Sequence, residues 1–314
     1  TVSETYIAKE TNVSVHTVRR IIDDTARLLT IKPLHDLPAH LCFDEFKSVK
    51  SSDSNMSFII CDSTTHKLVD VVRDRKSYSL KRYFHRFEPK TRLMVKTISI
   101  DMYLPYIQLI KEMFPNAKII IDPFHIVQAL NRELNRTRVR VMNKHRYKDP
   151  KLYRKLKHYW KFILKNPNEL QNYKYNRYKL FESFITSKGI VDYILENNTS
   201  LKNDYEVVHS LRECIQARDY IEFKEMIEAA TQLDLSSGLK RVLKTLITYL
   251  PYIQNTCEHP TRTNGPIEGI NNKIKVLKRN AYGFRNYYHF RNRIILITKM
   301  FGTKQKGIKQ QLVA

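Results

Sequence analysis

The sequence predicts an α/β fold in which a mixed five-stranded sheet is interrupted by a large all-α insertion. Short apolar runs with strand character occupy residues 41–121, whereas residues 146–260 show only helical periodicity and few glycines or prolines. Further helical segments follow the insertion up to residue 300. A chain of 314 residues is long enough for two or three domains with a substantial core.

Five apolar runs are expected to form the sheet. The first three are separated by stretches of hairpin length, which favours an antiparallel meander. Helical segments precede the fourth and fifth runs, and such crossovers favour parallel pairing. The elements are, in order, strands 41–46, 57–61 and 68–72, helix 77–87, strand 95–100, helix 103–114 and strand 117–121. This is the element order of a ribonuclease-H-like core.

The first 24 residues have the pattern of a helix-turn-helix, although an ordinary pair of helices gives a similar pattern. Asn12 suits the tight turn, and Ser14 suits the N-cap of the second helix. The residues expected to face inward are Ile7, Ala8, Val13, Val18, Ile21 and Ile22. The outward positions, which can reach bases or phosphates, are His16, Thr17, Arg19 and Arg20.

The remaining boundaries follow from the same patterns. Residues 25–40 contain two prolines and are expected to form a linker. The sheet-bearing core is expected to comprise 41–145 and 261–300, on either side of an insertion at 146–260. Residues 301–314 read as a basic tail. The chain opens at Thr1 without a methionine, so we expect an N-terminal segment to be missing.

The strong positive charge points to a polyanionic partner. Lysine and arginine number 55 against 31 acidic residues, which gives a formal net charge of +24. Nucleic acid is favoured over a membrane surface, because the basic residues are spread over the whole chain and no run of 18 apolar residues exists. Four isolated cysteines form no C-x-x-C pair, which fits a reducing cytoplasm rather than a zinc or disulfide framework.

The segment TNGPIEGINNKIKVLKRN, residues 263–280, predicts a basic helix with a single carboxylate, Glu268, in its first turn. Ile267, Ile270, Ile274 and Leu277 recur at helical spacing as a buried stripe. A neighbouring polar face is formed by Glu268, Asn271, Asn272 and Lys275. A carboxylate in a cationic helix suits a place where a metal ion meets a nucleic-acid phosphate, although a solvated helix with one stray glutamate is the plainer interpretation.

Three further acids are candidate metal ligands. Asp44 lies mid-strand on the same face as Cys42 and Phe46, so its charge needs a partner or a metal ion. Asp101 and Asp122 both end apolar strands and compete for the second position. In a ribonuclease-H-like order the second acid follows the fourth strand, which selects Asp101. We assign Asp122 and His125, of Asp-Pro-Phe-His, a supporting role.

These residues match a known family. LCFDEF, VKTISIDMYLPYIQLIKEMFPNAKIIIDPFHIVQALNREL and GPIEGINNKIKVLKRNAYGFRNYYHFRNRI resemble the ISL-three-type bacterial insertion-sequence transposases of the DDE class. The resemblance implies a transposase that cuts and rejoins DNA at element ends, with Asp44, Asp101 and Glu268 as its three acids. The spacing from Asp122 to His125 is similar to a feature of related transposases with helical insertions. Pro123 departs from the arginine that the family often has there.

The resemblance also implies cofactors and partners. Two Mg²⁺ or Mn²⁺ ions would be held by the three acids, and the partners would be double-stranded DNA of the inverted repeats and of the target. A homo-oligomer on DNA in the bacterial cytoplasm, associated with the nucleoid and not with a membrane, is expected. The residues expected to clamp phosphates are Lys275, Lys278, Arg279 and Arg285.

Two other functions fit the same sequence. One is a catalytically inactive or truncated transposase-derived protein that only binds a specific DNA sequence. The other is a simple nuclease, against which the predicted helix-turn-helix argues. In AYGFRNYYHFRNR, aromatic residues alternate with Arg285, Arg291 and Arg293. We expect these aromatic side chains to pack in the core rather than to stack on bases. We likewise expect Trp160 to be a buried anchor.

Overall fold

The computed structural model describes residues 2–30, 35–51, 55–196 and 198–300. The predicted basic tail at 301–314 and residues 31–34 of the predicted linker lie outside these ranges. The chain forms two compact units. The first, here called the sheet unit, comprises the chain up to Ile120 together with the chain from Arg262 onward; the second, the helical unit, is Ile121–Thr261.

A mixed five-stranded sheet is present, as predicted, and its strand order is β3-β2-β1-β4-β5. The strands are β1 (His40–Lys47), β2 (Met56–Asp62), β3 (Leu68–Val72), β4 (Thr97–Ile100) and β5 (Lys118–Ile121). β1 pairs antiparallel with β2 and parallel with β4, and β2 pairs antiparallel with β3. This arrangement fits the ribonuclease-H-like order. β4 is shorter than predicted because it begins at Thr97.

The helices follow the predicted periodicity closely in most places. They are α1 (Glu4–Glu10), α2 (Val15–Leu29), α3 (Ser77–Phe84), α4 (Pro89–Leu93), α5 (Leu104–Met113), α6 (Pro123–Lys144), α7 (Pro150–His158), α8 (Trp160–Leu164), α9 (Ser187–Glu196), α10 (Thr199–Ala217), α11 (Tyr220–Ala230), α12 (Ser237–Glu258), α13 (Gly265–Asn280) and α14 (Tyr287–Lys299). The short helix α4 was not predicted, and α3 ends three residues before the predicted 87.

The two faces of β1 have different neighbours, because successive side chains of a strand point to opposite faces. On one face Phe43 contacts Phe58 and Phe84, with ring centroids 5.1 and 5.5 Å apart. On the other face Cys42 and Phe46 belong to the core that also contains the buried stripe of α13 and the apolar residues of α14. Asp44 is two residues away from both Cys42 and Phe46 in the strand. Its side chain is therefore on the same face as theirs, the face that carries α13.

Helices α1 and α2 are separated by the predicted turn. Asn12 has a φ of 54°, in the left-handed region that asparagine tolerates, and the Ser14 hydroxyl accepts a hydrogen bond from the Thr17 amide at 3.0 Å. Ile21 was expected to face inward but is 56 % exposed. Val13 is likewise exposed. The buried stripe of α2 instead repeats every four residues, at Val18, Ile22 and Ala26.

Two further predictions for this segment are corrected. Arg19 was expected to face outward, but its Nε and Nη2 atoms donate to Glu4 Oε2 at 3.1 and 3.0 Å and so join α2 to α1. The predicted linker was to start at residue 25, but α2 continues to Leu29 because it packs on α14. There Asp23 accepts a hydrogen bond from Asn292 at 2.8 Å, and Lys299 donates to the Leu29 carbonyl at 2.8 Å.

The helical unit has a buried polar centre. Asp204 is fully buried, and its carboxylate accepts hydrogen bonds from the Thr137 hydroxyl at 2.7 Å and the Ser236 amide at 2.9 Å. These contacts tie together α6, α10 and the start of α12. They also explain why α6 belongs to the helical unit, although its sequence was assigned to the sheet-bearing core.

The all-helical prediction for residues 146–260 is wrong over 170–186. This stretch contains no helix, and an antiparallel bridge pairs Asn176 with Ile185. Helical periodicity was misleading here because two aromatic residues of this stretch, Tyr178 and Phe181, pack on neighbouring helices without forming a helix themselves. Trp160, expected to be a buried anchor, is partly exposed.

No helix in the part of the chain that the structure describes combines the length and the apolar character that a membrane span requires.

Candidate functional site

Asp44 is held on the α13 face of the sheet by two hydrogen bonds. Its Oδ1 atom accepts from the Glu45 amide at 2.7 Å, and its Oδ2 atom accepts from Asn271 Nδ2 at 2.8 Å. The side chain is half-buried, as the alternation of β1 predicts. The carboxylate of this central strand is thus fixed to α13 by a neutral amide.

The neighbouring acid, Glu45, has a different environment on the other face of β1. Its two carboxylate oxygens accept hydrogen bonds from Arg75 at 2.6 Å and from the Tyr106 hydroxyl at 2.8 Å. Burial, followed by the adjacent Glu45 charge, raises the pKa of Tyr106, so the phenol stays protonated and donates. Glu45 therefore has a structural role, and Asp44 is the acid of β1 that faces the site.

Asp101 follows β4 directly, and its Oδ1 atom accepts a hydrogen bond from Asn264 Nδ2 at 3.2 Å. The same nitrogen donates to the Phe43 carbonyl of β1, also at 3.2 Å. Asn264 is only 5 % exposed and immediately precedes α13. Its Nδ2 atom donates to both of these partners, whereas its Oδ1 atom accepts no capping hydrogen bond from the helix.

Helix α13 brings the third predicted acid to the same region. Ile267, Ile270, Ile274 and Leu277 are all buried, which confirms the predicted apolar stripe. Glu268 lies four residues after Asn264 and three before Asn271, and residues at these spacings share one face of a helix. Glu268 is therefore on the face that contacts Asp44 and Asp101 through the two asparagines, with its side chain exposed to solvent.

The two asparagines have a role that the sequence interpretation missed. Within the described residues, the Oδ1 atoms of Asn264 and Asn271 are buried and have no hydrogen-bond partner. A buried unsatisfied polar atom typically costs about 1–3 kcal/mol, so an oxygen left this way calls for an explanation. Their spacing around Glu268 was the signal in the sequence, since it places two amides on the face of the glutamate.

The cysteines near the site, Cys42 and Cys61, are buried. Cys42 donates to the Thr263 carbonyl at 3.4 Å. Burial, followed by the neighbouring Cys42 and Asp44, raises the pKa of the Cys61 thiol well above its ordinary value. A protonated thiol is a poor metal ligand, so the oxygen atoms are the ligands this region offers.

The predicted supporting pair belongs to the helical unit. Asp122 is buried and caps α6, where its Oδ1 atom accepts from the Phe124 amide at 3.1 Å. Pro123 occupies the first helical position, as predicted. His125 is half-buried, and its ring lies against Phe124 at 5.5 Å. Their supporting role stays a prediction.

The residues of α13 and the following turn that were predicted to contact phosphates differ in how exposed their side chains are. Lys275, Arg279 and Arg285 are exposed. Lys278 is half-buried, and its ammonium group donates to the backbone carbonyls of Lys47 and Ser48 at 2.9 and 3.0 Å. Burial, followed by the nearby Lys47 charge, lowers the pKa of Lys278. Lys278 therefore has a structural function that the other three do not show.

Two arginines of the last helix, which could have contacted bases, are part of the fold. Arg291 forms an ion pair with the buried Asp70 of β3 at 2.5 Å, and Arg293 donates to the Val2 carbonyl at 2.7 Å. Tyr287 and Phe290 are buried, as the favoured packing interpretation predicts, whereas Tyr282 and Tyr288 are exposed and depart from it. Of the predicted contacts in α2, His16 and Arg20 are exposed and Thr17 is half-buried.

Comparison with known proteins identifies the family. A family model described as a transposase, of the ISL3 type of DDE transposases, matches residues 41–294. The transposase for insertion sequence element IS1001 of Bordetella parapertussis is 26 % identical over 291 residues, which cover 90 % of this chain and 67 % of that protein. A protein of Lactococcus lactis subsp. lactis named as an ATP-dependent protease is 35 % identical over 130 residues, 41 % of this chain and 40 % of that protein.

The chain thus spans two fifths to two thirds of the length of these relatives. No solved structure matches it. The matched range includes β1, β4, α13 and most of α14, which carry the acids and asparagines described above. The chain belongs to the ISL3-type family of DDE transposases.

Proposed function

We propose that this chain carries out metal-dependent cleavage of DNA at transposon ends and transfer of the cut strand to target DNA. The observation that carries the proposal is the attachment of Asp44 and Asp101 to one helix, α13, through Asn271 and Asn264. That helix bears Glu268 on the same face. Three acids from distant parts of the sequence are thereby associated with a single helix in the sheet unit.

The donor atoms suit a hard divalent cation. Asp44, Asp101 and Glu268 supply carboxylates, and the buried Oδ1 atoms of Asn264 and Asn271 supply carbonyl oxygens without a hydrogen-bond partner in the described parts of the chain. Mg²⁺ and Mn²⁺ prefer oxygen ligands of this kind. Two such ions, when bound, would activate the attacking oxygen and stabilise the leaving oxygen of a phosphodiester.

The residues of this chain would position the acids and the DNA. Asn264 and Asn271 orient the carboxylates of Asp101 and Asp44, and the exposed Glu268 completes the set. In the first step water attacks the phosphodiester at the element end and the 3′-oxygen leaves as a hydroxyl. In the second step that hydroxyl attacks a target phosphodiester and displaces its 3′-oxygen, so no external energy source is needed.

Binding of double-stranded DNA is assigned to two basic surfaces of the sheet unit. Lys275, Arg279 and Arg285 would contact phosphates, which makes the affinity fall steeply with salt. The helices α1 and α2 would act as the predicted helix-turn-helix, with His16, Thr17 and Arg20 as the contacting residues. Arg19 is left out because its guanidinium group pairs with Glu4. The helical unit is then the insertion into this core, and joining two ends implies a homo-oligomer on DNA.

The test is cleavage of DNA that carries the element's inverted repeats, with Mg²⁺ or Mn²⁺. The variants Asp44→Asn, Asp101→Asn and Glu268→Gln are each expected to lose at least about a thousandfold in cleavage rate while still binding the DNA. The exposed acid of α11, Glu225→Gln, is the matched control and is expected to cleave normally. Comparing Asp101→Asn with Asp122→Asn identifies the primary acid, because the supporting residue should show the smaller loss.

Each alternative predicts a different result. Specific binding without any cleavage by the unaltered chain would indicate a transposase-derived DNA-binding protein. Degradation without preference for element ends would indicate a simple nuclease. Full cleavage by all three variants would refute the assignment of the acids. The protease name of the Lactococcus lactis relative is not carried over, because none of the seven glycines of this chain belongs to a G-x-x-x-x-G-K phosphate loop.

A further inference from the structure

Residues 170–186 of the helical unit, here called the aromatic loop, expose an unusual number of rings. Tyr173, Tyr175 and Phe184 are 78, 65 and 67 % exposed. Three exposed cations, Lys174, Arg177 and Lys179, lie between them in the sequence, against a single carboxylate, Glu182. Large exposed aromatic groups of this kind mark interaction sites more often than random surface.

The aromatic loop is anchored at its base. Asn176 and Ile185 exchange two backbone hydrogen bonds of 3.0 and 3.1 Å, and the Gln171 amide donates to the Ser187 hydroxyl at 2.8 Å. The antiparallel bridge between Asn176 and Ile185 closes the stretch between them, which carries the exposed Arg177, Lys179 and Phe184.

A second set of aromatics fixes the loop from inside. Tyr178 and Phe181 contact the buried Tyr159, with ring centroids 6.1 and 5.7 Å apart. Lys155 Nζ lies 4.3 Å from the centre of the Phe181 ring and 4.0 Å from that of Tyr193. The inward rings thus account for the position of the loop. They leave the outward rings of Tyr173, Tyr175 and Phe184 without a role in the packing of this unit.

Alternating rings and cations suit a nucleic acid whose bases are unpaired. Each base stacked on an aromatic side chain contributes about 1–3 kcal/mol, and the cations attract the phosphates. In a duplex the bases are stacked on one another, and only the backbone and the groove edges are accessible. Its bases therefore cannot stack on the exposed rings. A membrane surface would favour a continuous apolar tip, whereas here charged side chains separate the rings.

We propose that the aromatic loop binds unpaired DNA, with Tyr173, Tyr175 and Phe184 stacking on bases and Lys174, Arg177 and Lys179 contacting phosphates. The inference rests on the proposed function, since it takes DNA as the substrate. It adds a binding surface for the single-stranded bases that strand cleavage and transfer expose near the cut. The surface lies wholly within the helical unit and contains none of the proposed metal ligands.

The test measures binding of a fluorescent oligo-dT 20-mer and of a blunt duplex of matched length by anisotropy, without metal. The triple variant Tyr173→Ala/Tyr175→Ala/Phe184→Ala is expected to bind the single strand at least about tenfold more weakly and the duplex within about twofold. Tyr173→Phe/Tyr175→Phe, which keeps the rings, is expected to bind the single strand normally. Tyr147→Ala, which removes an exposed tyrosine of the same unit outside the loop, is the matched control.

Several results would overturn the proposal. They are undiminished single-strand binding by the triple variant, an equal loss for duplex and single strand, and a full loss in the two-phenylalanine variant. Binding of vesicles containing phosphatidylserine that depends on the three rings would assign the loop to membranes instead. Tighter binding of an oligo-U 20-mer than of oligo-dT would assign it to RNA.

The result of the oligo-dT binding test does not depend on whether the chain cleaves DNA. Asp44→Asn is expected to bind oligo-dT like the unaltered chain, because its carboxylate lies in the other unit. If the unaltered chain does not cleave but binds oligo-dT through the three rings, only the catalytic proposal is refuted. If it cleaves but its binding of oligo-dT does not depend on the rings, only the proposal for the aromatic loop is refuted. Circular dichroism of the triple variant checks that the helices persist, and the two-phenylalanine variant reports on stacking even if the triple variant unfolds.

Discussion

Two buried polar clusters, one in each unit, differ in how completely their atoms are hydrogen-bonded. In the helical unit, the carboxylate of Asp204 is enclosed and accepts hydrogen bonds from Thr137 and Ser236. In the sheet unit, Asn264 and Asn271 donate to two carboxylates while their own buried oxygens have no partner among the described residues. Satisfied groups stabilise a fold, whereas unsatisfied ones destabilise it.

The network around Asp204 joins three helical segments, so packing and hydrogen bonding are a sufficient reason for it. The asparagine oxygens have no such partners among the described residues, and they lie beside acids on the helix that carries Glu268. Because polar groups that destabilise a fold are often found at functional sites, this difference supports the proposal that α13 carries the function.

The largest expected effect is on the stability of the helical unit. Asp204→Ala leaves the Ser236 amide buried without its acceptor and removes one of the two acceptors of the Thr137 hydroxyl, and we expect it to lower the free energy of unfolding by about 3 kcal/mol. Urea unfolding followed by circular dichroism measures the change. The exposed Asp192→Ala of the same unit is the control and should stay within about 0.5 kcal/mol. Equal values for the two variants would contradict a structural role for the network.

The reverse behaviour is expected at the first asparagine. Asn264→Ala removes the unsatisfied oxygen together with the two hydrogen bonds of Nδ2, so the opposing changes should leave the free energy of unfolding within about 1 kcal/mol. The rate of DNA cleavage should nevertheless fall about a hundredfold, because Asp101 loses its orienting donor. If the variant is much less stable but its folded fraction still cleaves DNA at the normal rate, the role of Asn264 is structural, like that of Asp204.

A pH effect distinguishes the units further. Burial, with Arg212 adding to it, lowers the pKa of His209 in the helical unit to about 4, although the hydrogen bond to the Ile163 carbonyl at 2.9 Å opposes this. The unfolded chain binds a proton near pH 6.5, whereas the folded chain does so only near pH 4. Stability is therefore expected to fall as the pH drops from 6.5 to 4, by up to about 1.4 kcal/mol per pH unit from this group.

His209→Gln is the control for this effect, because glutamine can donate to the same carbonyl and does not titrate. Urea unfolding at pH values between 4 and 7 should show a shallower dependence in this variant. The same dependence in both proteins would mean that His209 takes up its proton in the folded state as readily as in the unfolded chain.

The smallest effect concerns two lysines of α13, Lys275 and Lys278. Lys275→Gln should reduce the slope of log affinity for DNA against log salt by about one, because one phosphate contact is lost, with little change in stability. Lys278→Gln should lower stability as well, because the ammonium group bonds to two carbonyls of the sheet unit. Duplex binding at several salt concentrations, with thermal melting of both variants, separates the two roles. Identical behaviour of the two lysines would contradict the distinction.

Sequence periodicity predicted the backbone and the faces, but not the partners of individual side chains. The alternation of β1 put Asp44 on the correct face, and the apolar stripe of α13 gave the orientation of Glu268. Both follow from local geometry. The pairing of Arg19 with Glu4 depends on how α1 crosses α2, which no local pattern contains.

The same limit explains the other differences. The aromatic loop was taken for helix because Tyr178, Phe181 and Phe184 recur every three residues, a spacing that a helix also gives. The involvement of Lys278 with β1 depends on the distance between α13 and the end of that strand. The contact of Asn264 with Asp101 was not predicted, because it joins residues 163 positions apart. Contacts of this range become visible only in the folded chain.

The most direct measurement is Mn²⁺ binding by electron paramagnetic resonance, compared among the unaltered chain, Asp44→Asn, Asn264→Ala and the control Glu225→Gln. We expect the unaltered chain and the control to bind Mn²⁺ equally, Asp44→Asn to lose at least about tenfold in affinity, and Asn264→Ala to show a smaller loss. Equal Mn²⁺ affinity in all four proteins would contradict a metal site formed by β1, β4 and α13.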